Sequence, residues 1–153
     1  MAHTHRLDIV SERIKDLIEA QKVPLTVDDV FYGDQEIVPH ARTVCVEPVT
    51  VNRSIVGAPD MVQNTFTVAV LVYVYKVQEL QATRAEADAL SGDIEDLLHT
   101  TLQLQTASPG SDIIIHGFVM ENLSGYTVKQ SRLYRSCRLT WQGISKTSLR
   151  FGP

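Results

Sequence analysis

Two cysteines in 153 residues, Cys45 and Cys137, are too few for a disulfide scaffold. Both fall in stretches that read as strands, so buried free thiols are expected. No apolar run is long enough to span a bilayer. The opening Met-Ala-His-Thr-His-Arg lacks an apolar signal-peptide core, so neither membrane insertion nor export is expected. Basic residues are scarce: 14 Lys and Arg stand against 18 Asp and Glu, a net charge of −4. That leaves no electrostatic footprint for nucleic acid, and no specific nucleic-acid recognition is expected. Catalytic motifs are missing too. There is no nucleophile elbow, phosphate loop, metal-ligand spacing or paired-carboxylate arrangement, so neither a catalytic site nor a cofactor is expected. Repeats and low-complexity tracts are also absent.

What is present centres on the longest apolar run, Asn64-Thr-Phe-Thr-Val-Ala-Val-Leu-Val-Tyr-Val-Tyr-Lys76. Its β-branched and aromatic residues suit a pleated, packed surface. Strand side chains alternate faces. Phe66, Val68, Val70, Val72 and Val74 share one face, which reads as core. Thr65, Thr67, Ala69, Leu71, Tyr73 and Tyr75 share the other, which is mixed. Such a strand belongs in the middle of a sheet, with something packed on each side.

The remaining segments supply neighbours and covers. Residues 6–21 have a helical period, with Leu7, Val10, Ile14, Leu17, Ile18 and Gln21 on one stripe. Pro24 sets the stop near Lys22. Strands are expected over 29–32 and 43–47, the second ended by Pro48. From 48 to 63 the pattern dissolves into an extended loop holding Arg53, Val56 and Met61. It reads either as a subunit-contact arm or as a hairpin loop. Thr83-Arg-Ala-Glu86 reads as a capping box that opens a helix running to about Leu102. Its stripe is Ala87, Leu90, Ile94, Leu97, Leu98 and Thr101, and its far face groups Ala85, Ala89 and Gly92. Ala107-Ser-Pro-Gly110 reads as a loop, 112–123 as a strand and Ser124-Gly125 as a turn. The last strand is expected over 131–143, with Arg132, Tyr134 and Arg138 on its polar face. The tail 144–153 reads as loosely held. Polar clusters offer little chemistry. His3 and His5 have no further ligands nearby, and Asp28, Asp29, Asp34 and Glu36 match no calcium loop. His116 sits among apolar neighbours with no nucleophile motif, as a half-buried, hydrogen-bonded histidine would.

The expected fold class is α+β, one domain over 1–153. A mixed, mainly antiparallel sheet carries two amphipathic helices in the order α-β-β-(long loop)-β-α-β-β. This order resembles the tail terminator proteins of long-tailed bacteriophages. So do Val30-Phe-Tyr-Gly-Asp-Gln35, Val44-Cys-Val-Glu-Pro48, Ile115-His-Gly-Phe118, Ser131-x-Leu-Tyr-Arg135 and Arg138-Leu-Thr-Trp-x-Gly143-x-Ser-Lys146. The resemblance covers most of the chain, and its motifs are structural rather than chemical. It implies a homo-oligomeric ring, usually of six subunits, that caps the finished tail tube and joins it to the head. The implied partners are other copies of the chain, the tail tube protein and a head-tail connector or neck protein. The implied place is the virion tail or neck, reached by assembly in the host cytoplasm. No cofactor is implied.

Three function classes follow: a ring-forming tail terminator, a neighbouring neck or tail-completion adaptor, and a small enzyme with a site built from Asp, Glu and His. For the first two, the candidate assembly contacts are Ala85, Ala89 and Gly92 on the second helix, Arg132, Tyr134 and Arg138 on the last strand, and Arg53, Val56 and Met61 in the long loop. Arginine is enriched at interface hot spots, and a cluster of small residues permits close approach.

Overall fold

The computed structural model describes residues 6–36, 38, 41–57, 61–75, 80–100, 103–104 and 115–148. The fold is α+β. Its elements are α1 (Leu7–Ala20), α2 (Lys22–Leu25), β1 (Asp29–Tyr32), β2 (Arg42–Ile55), β3 (Met61–Val74), α3 (Leu80–Thr100), β4 (Gln103–Leu104), β5 (Ile115–Lys129) and β6 (Arg132–Ser148). The strands form one sheet in the order β1-β2-β3-β6-β5-β4. β1 runs parallel to β2, and the other pairs are antiparallel. The valine-rich β3 lies inside the sheet, between β2 and β6, as its two-sided pattern demands.

Both long helices lie on the same face. α1 covers β1 and β2, and α3 covers β3, β5 and β6. The stripe of α1 buries Val10, Ile14 and Ile18, and that of α3 buries Ala87, Leu90, Ile94 and Leu98. They meet Val44, Val46, Phe66, Val68, Val70, Val72, Val74, Leu139 and Trp141 in one core. Each large aliphatic side chain buried there contributes about 1.5–3 kcal/mol. One guanidinium ties the layers together. Nε of Arg42 donates to the Thr26 carbonyl (2.6 Å), Nη2 to that of Leu25 (3.0 Å) and Nη1 to the Glu86 carboxylate.

Several local expectations need correction. Residues 48–63 are not an extended loop. β2 continues to Ile55 and β3 begins at Met61, paired down to Ile55↔Val62. Pro48 does not end β2, because β1 reaches only Val46 and beyond it β2 is an edge strand, where a missing N–H is tolerated. A register shift between Pro48 and Thr50 absorbs Val49. Residues 144–148 are likewise no loose tail, since Ser145 to Ser148 pair with Asn64 to Met61. Ser124 and Gly125 lie within β5 rather than in a turn, and the chain reverses at Gln130 and Ser131. Both take positive φ, 49° and 65°, as a two-residue type I′ hairpin turn requires. α3 begins at Leu80, so Thr83 sits inside the helix rather than at its cap. α2 and the short β4 were not foreseen. His3, His5, Ala107-Ser-Pro-Gly110, residues 149–153 and the side chain of His116 lie outside the described residues.

Candidate assembly surfaces

Among the described residues, the sheet face opposite the helices is covered at one end only, by residues 33–36 and 38. The segment leaves β1 at Gly33, whose φ of +85° suits glycine, and folds back over the sheet. Asp34 pins it. The Tyr73 hydroxyl and the Lys129 ammonium both donate to its Oδ1, each at 2.8 Å. Lys129 also donates to the Gln35 carbonyl and lies 4.8 Å from the Tyr73 ring centre. The Tyr134 hydroxyl donates to the Val38 carbonyl (3.0 Å). Val38, Cys45, Leu71, Tyr73 and Tyr134 form a second, smaller core beneath this flap. Burial pushes the Cys45 thiol up to about 11. Burial, reinforced by donation to Asp34, also raises Tyr73, which keeps that hydroxyl a donor. Cys137 lies in the core on the helix side. The two thiols are buried, free and on opposite faces of the sheet.

Beyond the flap the same face is threonine-rich and open. In register lie Thr50, Thr67, Gln142 and Phe118, and next to them Asn52, Thr65 and Ile144. Phe118, Leu123 and Ile144 are exposed on it, and Arg138 stands beside Leu123 with no ion pair among the described residues.

The turn end of the β5–β6 hairpin is a second open region, on the helix-bearing face. Tyr126 pairs with Arg135 and Val128 with Leu133. Tyr126, Val128 and Leu133 are exposed. Arg135 is buried beside them. Its guanidinium carbon is 4.4 Å from the Tyr126 ring centre, and its Nη2 donates to the Ser124 hydroxyl (2.7 Å). Its Nε is buried without a hydrogen-bond partner.

The candidate contact residues are scattered rather than gathered. Ala85 and Ala89 are exposed on α3, and Gly92 is half-buried with no atom within 4 Å of where a Cβ would stand. Arg132 is exposed, 5.4 Å from the Tyr75 ring centre, and Arg138 is exposed on the open face. Tyr134 is 2% exposed and belongs to the second core, so its place among surface contacts is corrected. The flap covers it, which the alternation of β6 did not reveal. Arg53, Val56 and Met61 sit near the tip of the β2–β3 hairpin, where Val56 N–H donates to the Met61 carbonyl. Arg53 donates to Oδ1 of the buried Asn64, which in turn donates to Ser145. Asp34, which the sequence offers only as one of four acidic residues matching no calcium loop, is the hub of the flap. Only its separation of 95 residues from Lys129 hid that role. Among the described residues no group of His, Cys, Asp and Glu is placed to hold a metal ion, and no helix is long and apolar enough to cross a membrane.

No family model and no curated protein matches the chain. Its structure is similar to that of a chain from the virion of a native gene transfer agent (GTA) particle. The TM-score is 0.62 and the identity 11%, and the likeness covers 94% of this chain and 99% of the other. At that identity the likeness is one of fold.

Proposed function

We propose that this protein is a structural component of a phage-like particle, and within that class a tail terminator. Copies form a ring, of six by the sequence resemblance, that caps the completed tail tube and makes the joint to the head or neck. The carrying observation is the nearly end-to-end fold likeness to a virion chain, with neither chain holding a large extra part. The sequence resemblance to tail terminators points the same way. So does a sheet whose second face exposes Phe118, Leu123 and Ile144, since apolar surface of this kind suits association. Its partners in this reading are its own copies, the tube protein and a connector. Each contact needs on the order of 800 Å² per subunit for a standard-sized interface. A neck or tail-completion adaptor shares the carrying observation, because a likeness of fold to a virion chain does not separate the two positions.

Gold-labelled antibody on purified particles tests the reading. Label at the head-proximal end of the tail, together with overlong tubes when the protein is missing, is the expected result. Label on the connector with tubes of normal length favours the adaptor. Particles without label overturn both.

A further inference from the structure

The β5–β6 hairpin carries charge of the opposite sign to the rest of the chain. Between residues 115 and 148 stand Lys129, Arg132, Arg135, Arg138 and Lys146 against Glu121 alone, a net charge of +4. The whole chain carries −4, so everything outside the hairpin carries −8. The turn end of the hairpin also exposes Tyr126, Val128 and Leu133, at 54%, 66% and 47%. Beside them Arg135 is 8% exposed, meets only the Ser124 hydroxyl and the Tyr126 ring, and keeps an unpartnered Nε. A buried cation is normally matched by a carboxylate in direct contact, whereas here the carboxylate of Asp88 stands one hydroxyl away, accepting from Ser124 (3.3 Å), and no described carboxylate pairs directly with the guanidinium.

We propose that this hairpin end docks on the acidic remainder of a second copy of the chain, in a head-to-tail contact. Charge selects that occupant and that geometry. Hairpin end against hairpin end brings Arg132 and Arg135 of both copies together and is opposed, whereas hairpin end against the acidic part of the chain is favoured. A carboxylate arriving with apolar neighbours gives the unpartnered Nε of Arg135 a direct acceptor while Tyr126, Val128 and Leu133 are covered. A head-to-tail contact leaves each copy with one donor and one acceptor surface. It therefore repeats, and it closes into a ring where the rotation allows. The inference rests on the ring reading and names the surface that builds it.

The test uses the double variant Val128→Glu and Leu133→Glu, both at exposed positions, with Arg132→Glu as a second variant that leaves the apolar patch untouched. Parent and variants are compared by light scattering on material with native circular dichroism. The parent is expected at a multiple of 17.1 kDa that falls as salt rises, and the double variant at 17.1 kDa. Arg132→Glu is expected to weaken assembly at least tenfold. Because the double variant keeps its acceptor surface, a fluorescent sample of it should bind the parent's hairpin and, in excess, break parent rings into shorter species. Variants that both assemble like the parent overturn the proposal. A double variant that is monomeric yet never binds the parent also overturns it, because the contact is then mutual. A parent that is itself monomeric overturns both contact and ring. An assembled parent that is absent from tail ends overturns only the functional reading.

Discussion

Adding one methyl group at Gly143 should destabilise the fold, against the usual preference of a strand for alanine over glycine. Gly143 pairs with Gly117, and the Trp141 ring lies across both. A Cβ on Gly143 falls 2.1 Å from Trp141 Cη2 and 2.7 Å from Cζ2 and Cζ3. One on Gly117 falls 2.2 Å from Cζ2 and 2.5 Å from Cε2. Trp141 is 2% exposed, so the ring has little room to retreat. Overpacking of this kind costs about 1–3 kcal/mol. Alanine recovers about 0.5–1 kcal/mol of that through lower backbone entropy. A contact as short as 2.1 Å puts the cost at the upper end of that range, so Gly143→Ala should lose about 2 kcal/mol net, or about 4–8 °C in melting temperature for a domain of this size. Urea unfolding followed by tryptophan fluorescence is the natural assay, because Trp141 is the sole tryptophan and reports on the disturbed ring itself. A variant as stable as the parent, with unchanged native emission, refutes the account of why glycine stands there.

The opposite sign is expected at Gly92. Gly92→Leu meets open space and should raise stability by about 0.8 kcal/mol, read from the urea midpoint at concentrations where the protein is monomeric. Asp34→Ala strands Lys129, whose side chain is 10% exposed, and should cost about 2 kcal/mol, below the range for a fully buried pair because Asp34 itself reaches solvent. Adding Lys129→Met should recover most of that loss in the same denaturation assay. Ser131→Gly relieves a left-handed residue and should stabilise by about 0.5–1 kcal/mol, measurable as a raised melting temperature. The folded pKa of Cys45 is raised from 9.0 to about 11, so its contribution is full below the unfolded value and is lost as pH climbs from 9 towards 11. Urea midpoints should fall over that window less steeply for Cys45→Val than for the parent.

Much of the fold was legible in residue pattern. The stripe of α1, the stripe of α3 and the two faces of β3 all follow from period, because each is set by which side meets the core. What escaped depended on neighbours in space. Pro48 reads as a strand breaker, and it is harmless only because β1 stops at Tyr32, opposite Val46. Ser124-Gly125 reads as a turn, yet the reversal uses Gln130 and Ser131, whose positive φ carries no glycine signal. Tyr134 alternates onto the polar side of β6, and only a flap anchored nearly a hundred residues earlier makes it core. The Arg138-Leu-Thr-Trp-x-Gly143 and Ile115-His-Gly-Phe118 motifs were visible as text. Their physical content, one ring laid over two glycines, required the register. The candidate surface residues were named by type and face, and assembly geometry is not written in either.

The seam between β3 and β6 has a consequence for synthesis. β2 with β3, and β5 with β6, are each hairpins of neighbouring sequence, whereas Met61↔Ser148 and its companions join distant halves of the chain. Val74 therefore leaves the ribosome 74 residues before Ser148, the end of the strand that completes the pairing of β3. At roughly 5–20 residues per second that interval lasts about 4–15 s. During it the first hairpin presents a long, valine-rich edge with unpaired backbone groups, the kind of edge on which chains aggregate. Until β6 arrives, nascent copies on one message are each other's nearest competing strands. Close spacing of ribosomes on one message should therefore lower the yield of this protein by a route that the stability of the finished sheet does not govern.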